Sequence, residues 1–95
     1  MGDNIRGKIV YIFLSPMRRQ QRYYALDLDN DDIIKQGTFQ NKTNEIPAEI
    51  ISTIAEVQPN KVEIIGNKHF CTKLFTLMQT KFNDNKFTIE VKEHE

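Results

Sequence analysis

The apolar positions change their period along the chain. Residues Lys8–Leu14, KIVYIFL, are apolar at both parities and rich in β-branched and aromatic side chains, which predicts a central strand covered on both faces. RYYALDLD, Arg22–Asp29, alternates instead. Tyr24, Leu26 and Leu28 share one face and Tyr23, Ala25, Asp27 and Asp29 the other, as in a half-buried strand. Asn30 and Asp31 tolerate the positive φ of a tight turn, and DIIKQGTFQ, Asp32–Gln40, runs back as a third strand with Gly37 as its expected bulge.

Beyond residue 45 the period becomes helical. Ile46, Ile50, Ile51, Ile54 and Val57 recur at helical spacing between Pro47, which suits a first helical turn, and a stop at Pro59. KVEIIG, Lys61–Gly66, predicts a short strand buried at Val62, Ile64 and Ile65, with Gly66 making a compact turn into a second helix over Lys68–Phe82. The apolar residues of that helix, from Phe70 and Cys71 to Met78 and Phe82, span a wider arc than one sheet face requires. Asn83–Asn85 turn the chain into KFTIEVK, whose Phe87, Ile89 and Val91 alternate as an edge strand. No repeat, low-complexity segment or linker divides residues 1–95, so a single domain is expected.

The order β-β-β-α-β-α-β carries two right-handed parallel crossovers. With the first strand in the centre it predicts an α/β fold (α+β in its mixed sheet) of five strands in the order 3-2-1-4-5. This order, including ALDLDNDDIIKQGTF as the second and third strands, resembles the ribonuclease H-like fold of many nucleases, resolvases and actin-like ATPases. The resemblance is topological and covers nearly the whole chain. It implies two divalent ions gripped by carboxylates, the first of them on the central strand. That strand reads KIVYIFLSP and has no acid, and no glycine-rich phosphate loop follows it as an actin-like ATPase requires. A non-catalytic binding protein is therefore the expected function, with a metal-dependent nuclease or its remnant as the alternative, and no cofactor is expected.

Composition narrows the setting. A chain of 95 residues buries roughly 60 to 65% of its unfolded surface, enough to fold without disulfide or metal. Thirteen basic and thirteen acidic residues cancel, so any electrostatic recognition must be local. One cysteine and a polar, mixed-charge Met1–Lys8 predict a cytoplasmic protein without a signal peptide. The longest apolar run, Ile9–Leu14, is far below the roughly 20 residues of a membrane-spanning helix, and no membrane association is expected. The abundance of Ile, Lys and Asn is common in AT-rich genomes, including those of bacteria, phages and plasmids, and fits a phage- or plasmid-type accessory protein.

Several constellations carry candidate chemistry. Asp27, Asp29, Asp31 and Asp32 begin like a calcium loop, but Asp32 stands where glycine is needed and Thr38 where the bidentate Glu belongs, so a solvated hairpin end is expected. Asp84 with Glu90-x-Lys92 has the spacing of many metal-dependent endonucleases, and Glu63 adds an acid on the preceding strand. His69 and Cys71, with His94 near the end, are too few for zinc, and Cys71 reads as a small core residue without an activating base. Gly66–Lys68 opens a helix whose free amides suit a phosphate, although such turns are usually structural.

The remaining stretch is SPMRRQQRYY, Ser15–Tyr24. A neutral chain that otherwise prefers lysine places Arg18, Arg19 and Arg22 there, interleaved with glutamines and Tyr23. Guanidinium forks and an aromatic face at an exposed hairpin tip predict a contact with nucleic acid or an acidic protein surface through Arg18, Arg19, Arg22 and Tyr23. Two helices on one side of the sheet leave the other face of KIVYIFL uncovered, so a homodimer or a protein partner is expected to cover it.

Overall fold

A computed structural model of the chain describes residues 7–40, 44–82 and 87–93. Five strands and two helices follow in the expected order: β1 (Lys8–Leu14), β2 (Gln20–Asp27), β3 (Asp32–Gln40), α1 (Ala48–Val57), β4 (Lys61–Gly66), α2 (Lys68–Lys81) and β5 (Thr88–Glu93). The sheet order is β3-β2-β1-β4-β5, with β1 antiparallel to β2 and parallel to β4. A mixed five-stranded sheet with β1 at its centre is thus present as the pattern predicts.

The helix limits have local causes. Pro47 precedes α1, and its carbonyl accepts the N–H groups of Ile50 and Ile51 at 3.0 and 3.2 Å. Gln58 closes the helix in the left-handed region at φ 54°, donating to Ile54, and Pro59 cannot continue it. Asn67 caps α2 by accepting the Phe70 N–H on its side-chain oxygen at 3.2 Å. Both helices cover the same sheet face, α1 over β2 and β3, α2 over β4 and β5. Ile50, Ile54, Cys71, Leu74 and Met78 close over Val10, Ile12, Val62 and Ile64, and each fully buried aliphatic side chain contributes about 1.5–3 kcal/mol.

Three details depart from the sequence-based expectations. The irregular register lies between Ala25 and Leu26, where Ile34 is the extra residue, and not at Gly37. Gly37 pairs in register with Tyr23, and a Cβ there would stand 2.8 Å from the Tyr23 hydroxyl and 3.1 Å from its ring, so the missing side chain makes room for the tyrosine. The wide apolar arc of α2 is absorbed internally: Phe70, Phe75, Leu77 and Phe82 pack against the core edge. Finally, Tyr23 is only 5% exposed and faces the helices with Ala25, so the expected contact role of Tyr23 is corrected to a core role.

The opposite face carries no helix among the described residues. Register places Arg22, Phe13, Ile65 and Lys92 in one row across it and Tyr24, Tyr11, Glu63 and Glu90 in the next. Ile9 is buried there, Tyr11, Tyr24 and Ile65 are half-buried, and Phe13 is 38% exposed. The expectation that both faces of β1 are dry holds at Ile9 and fails at Phe13.

Candidate functional site

The arginine-rich connection between β1 and β2 is a built turn. Ser15, Pro16, Met17 and Arg18 form it, with proline at the position whose φ it presets and the Arg18 N–H donating to the Ser15 carbonyl at 3.4 Å. Ser15 Oγ accepts the Met17 N–H at 3.2 Å. Gln21, buried at the start of β2, braces the turn from beneath. Its Oε1 accepts the Ser15 N–H at 2.6 Å, and its Nε2 donates to the carbonyls of Ser15 and Arg18, both at 3.0 Å. Three hydrogen bonds from one side chain hold the backbone that carries Arg18.

Two adjoining hollows flank this turn. The first, of about 620 Å³, lies at the carboxyl ends of β1 and β4, between Phe13, Met17, Tyr24 and Ile65, with Gly66 and Asn67 at its far rim. The second, of about 530 Å³, is polar and formed by Arg18, Arg19, Gln20, Arg22, Thr38 and Gln40. Arg18 and Arg22 line both, and neither hollow has an acidic residue in its lining. Arg18, Arg19 and Arg22 are all exposed, and none pairs with a carboxylate among the described residues. Three exposed guanidinium groups thus share one end of a molecule with no net charge. The acidic hairpin end sits at the other end of β2, Asp27, about 24 Å away along the strand.

Phe13 is held by its neighbours. Its ring meets Tyr24 edge-on at a centroid distance of 5.6 Å and lies stacked beside Tyr11 at 6.3 Å. Gly66 sets the far rim for a steric reason. Its φ is 139°, and a Cβ would collide with the Leu14 carbonyl, which accepts the Asn67 N–H at 3.2 Å. The glycine therefore lets β4 close against β1 at the hollow.

The acids proposed for the alternative chemistry are tied up differently. Glu63, only 6% exposed, and Glu90 stand side by side on β4 and β5. The Lys61 ammonium lies between them, 3.1 Å from each, and Lys92 approaches Glu63 to 3.4 Å. Hydrogen bonds to Glu90 and then Glu63 push the Lys61 ammonium above the ordinary lysine range, so a protein cation already occupies the space between the carboxylates. Asp84 lies outside the described residues. Among the described residues no three His, Cys, Asp or Glu side chains converge as a metal site requires.

The other candidates resolve into structural roles. Asp27 caps the β2–β3 turn, accepting from the Asp29 and Asn30 N–H groups and from Asn30 Nδ2 at 3.0 to 3.4 Å, while Asp31 supplies the positive φ of 58°. Cys71 is buried in the core, where burial and then the charge of Glu93 push its thiol up to about 11, the opposite of an activated nucleophile. His69 is exposed, and His94 lies outside the described residues.

Of the four residues named for contact, the structure brings Arg18, Arg19 and Arg22 together and turns Tyr23 away. Phe13, Met17, Tyr24 and Gln21 complete the site and were not singled out. The two-sided apolar pattern of β1 signals Phe13, and Ser15–Pro16 signals a turn, but nothing local marks Gln21 as its brace. No protein-family model matches this sequence, and no curated protein shows significant similarity to it.

Proposed function

We propose that this protein is a non-catalytic binding module that contacts nucleic acid through Arg18, Arg19 and Arg22. The observation carrying the reading is the convergence of three exposed guanidinium groups, paired with no carboxylate among the described residues, on a braced turn beside an acid-free hollow. Arginine forks match phosphate oxygens in pairs, and preorganising the turn lowers the entropy lost on binding. The strand order and the acid-free β1 support reading the chain as a catalytically silent variant of the ribonuclease H-like topology, and the single buried thiol accords with a reducing, cytoplasmic setting.

A fluorescent oligonucleotide titrated across a salt series tests this. Three phosphate contacts to a single strand give a slope of log K against log salt of about −2, and Arg18→Ala or Arg22→Ala flattens it by somewhat less than one. Flat salt dependence moves the assignment to a protein surface, for which the acidic partner or a second copy on the open face is the competing reading. Incubation with DNA or RNA in Mg²⁺ or Mn²⁺ leaves the substrate intact; cleavage lost in Glu90→Ala would establish the nuclease alternative instead.

A further inference from the structure

We propose that the hollow between Phe13, Met17 and Tyr24 is a nucleobase site, so that the protein takes single-stranded and not duplex nucleic acid. This rests on the reading that the arginine end contacts nucleic acid and adds what that reading leaves open. The two hollows differ in chemistry as the two parts of a nucleotide do. One is mostly apolar, walled by rings, a thioether and aliphatic side chains with Ser15, Gln21 and Asn67 among them, and the other by three arginines and neutral amide or hydroxyl groups. Arg18 and Arg22 line both, so a base seated in the first hollow puts its own phosphate among the guanidinium groups of the second.

The apolar wall is exposed where a core residue would not be. Phe13 is 38% and Met17 89% exposed, and both line the hollow at the end of the sheet. Phe13 is not adaptable surface, because Tyr24 and Tyr11 pack against its ring and fix its plane. A rigid ring beside cationic forks suits stacking of an unpaired base, which presents both faces of its π system, while a base within a duplex already spends them on its neighbours. The acid-free lining supplies the charge complementarity that favours a nucleic-acid strand over an apolar peptide. Met17, flexible and polarisable, closes on bases of different size, so weak sequence preference is expected.

Fluorescence anisotropy with four probes of equal length tests the inference: oligo-dT, oligo-U, a blunt duplex, and an abasic deoxyribose-phosphate strand. The native protein is expected to bind the two base-bearing single strands at least about tenfold more tightly than the abasic strand or the duplex. Phe13→Ala and Phe13→Leu are both expected to remove that advantage, the second while keeping an aliphatic contact and an unchanged unfolding midpoint. Phe13→Tyr keeps it. None of the three changes the salt slope, whereas Arg22→Ala lowers it for every probe. Equal affinity for the abasic and base-bearing strands, or an unaffected Phe13→Leu, overturns the base site while the arginine contact stands. Absence of binding to all four probes overturns both.

Discussion

Tyr23 and Tyr24 are adjacent in β2 and have opposite fates. Tyr23 lies under the helices over Gly37, and Tyr24 lies on the uncovered face against the edge of Phe13. The two sides of one sheet are thus built on different terms. The covered side uses complementary shape, with Gly37 giving way to Tyr23 and with Ile12, Ile64 and Met78 fully enclosed. The uncovered side spreads its aromatic residues over two neighbouring rows that end in charge, Phe13 in the row from Arg22 to Lys92, and Tyr24 and Tyr11 in the row that continues to Glu63 and Glu90. A residue's type therefore says less about its role than the side on which strand parity places it.

The comparison can be broken most severely where the two sides meet. Gly66→Ala puts a Cβ against the Leu14 carbonyl at a φ of 139°, and unfolding in urea is expected to show a loss of more than about 4 kcal/mol or no folded protein. Next comes the tyrosine pair. Tyr23→Ala is expected to cost about 3–5 kcal/mol by leaving a cavity under α1, and Tyr24→Ala only about 1 kcal/mol. Equal losses in chemical denaturation would mean that the second side is also enclosed. Cys71 sharpens the covered side without disturbing it. With its thiol raised to about 11, it is expected to react with a thiol reagent at pH 8 only as fast as the protein opens, and rapid stoichiometric labelling would contradict the core assignment.

The smallest effect lies at the acidic hairpin end. The Asn30 side chain first, and the Asp29 and Asn30 backbone N–H groups after it, hold the Asp27 carboxyl below its ordinary value of 3.8. A carboxylate depressed in the folded state stabilises above its unfolded value and gives that stability up as pH falls through its folded one. Stability is therefore expected to decline below about pH 3.8 and to decline less in Asp27→Ala, as thermal unfolding across pH would show.

Much of the architecture was legible because each element keeps one period. β1, β3 and β4 fall on the residues read from apolar spacing, and the α2 limits differ by one residue. β2 lies two residues early at both ends, starting at Gln20 because ladder pairing to Gln40 extends it and stopping at Asp27, whose carboxylate already accepts the N–H groups of the turn. Parity on β2 was harder: Leu26 and Leu28 make the Tyr24 face look more apolar, yet α1 covers the face of Ala25 and Tyr23, a choice made by tertiary packing. The same limit applies at the site. Three clustered arginines were visible in the chain, but the hollow beside them depends on Phe13 and Tyr24 meeting across β1 and β2, and the acids Glu63 and Glu90 acquired their lysine bridge only when β4 and β5 paired.

Backbone amide shifts recorded while a single strand of roughly ten nucleotides is titrated into the native protein test the contact surface most directly. The largest changes are expected at Phe13–Tyr24 and Ile65–Asn67, with α1 and the Asp27–Asp32 turn unmoved. Changes centred on α1 or on Ile33 and Ile34, or none at all, would contradict the assignment of this end of the sheet as the binding site.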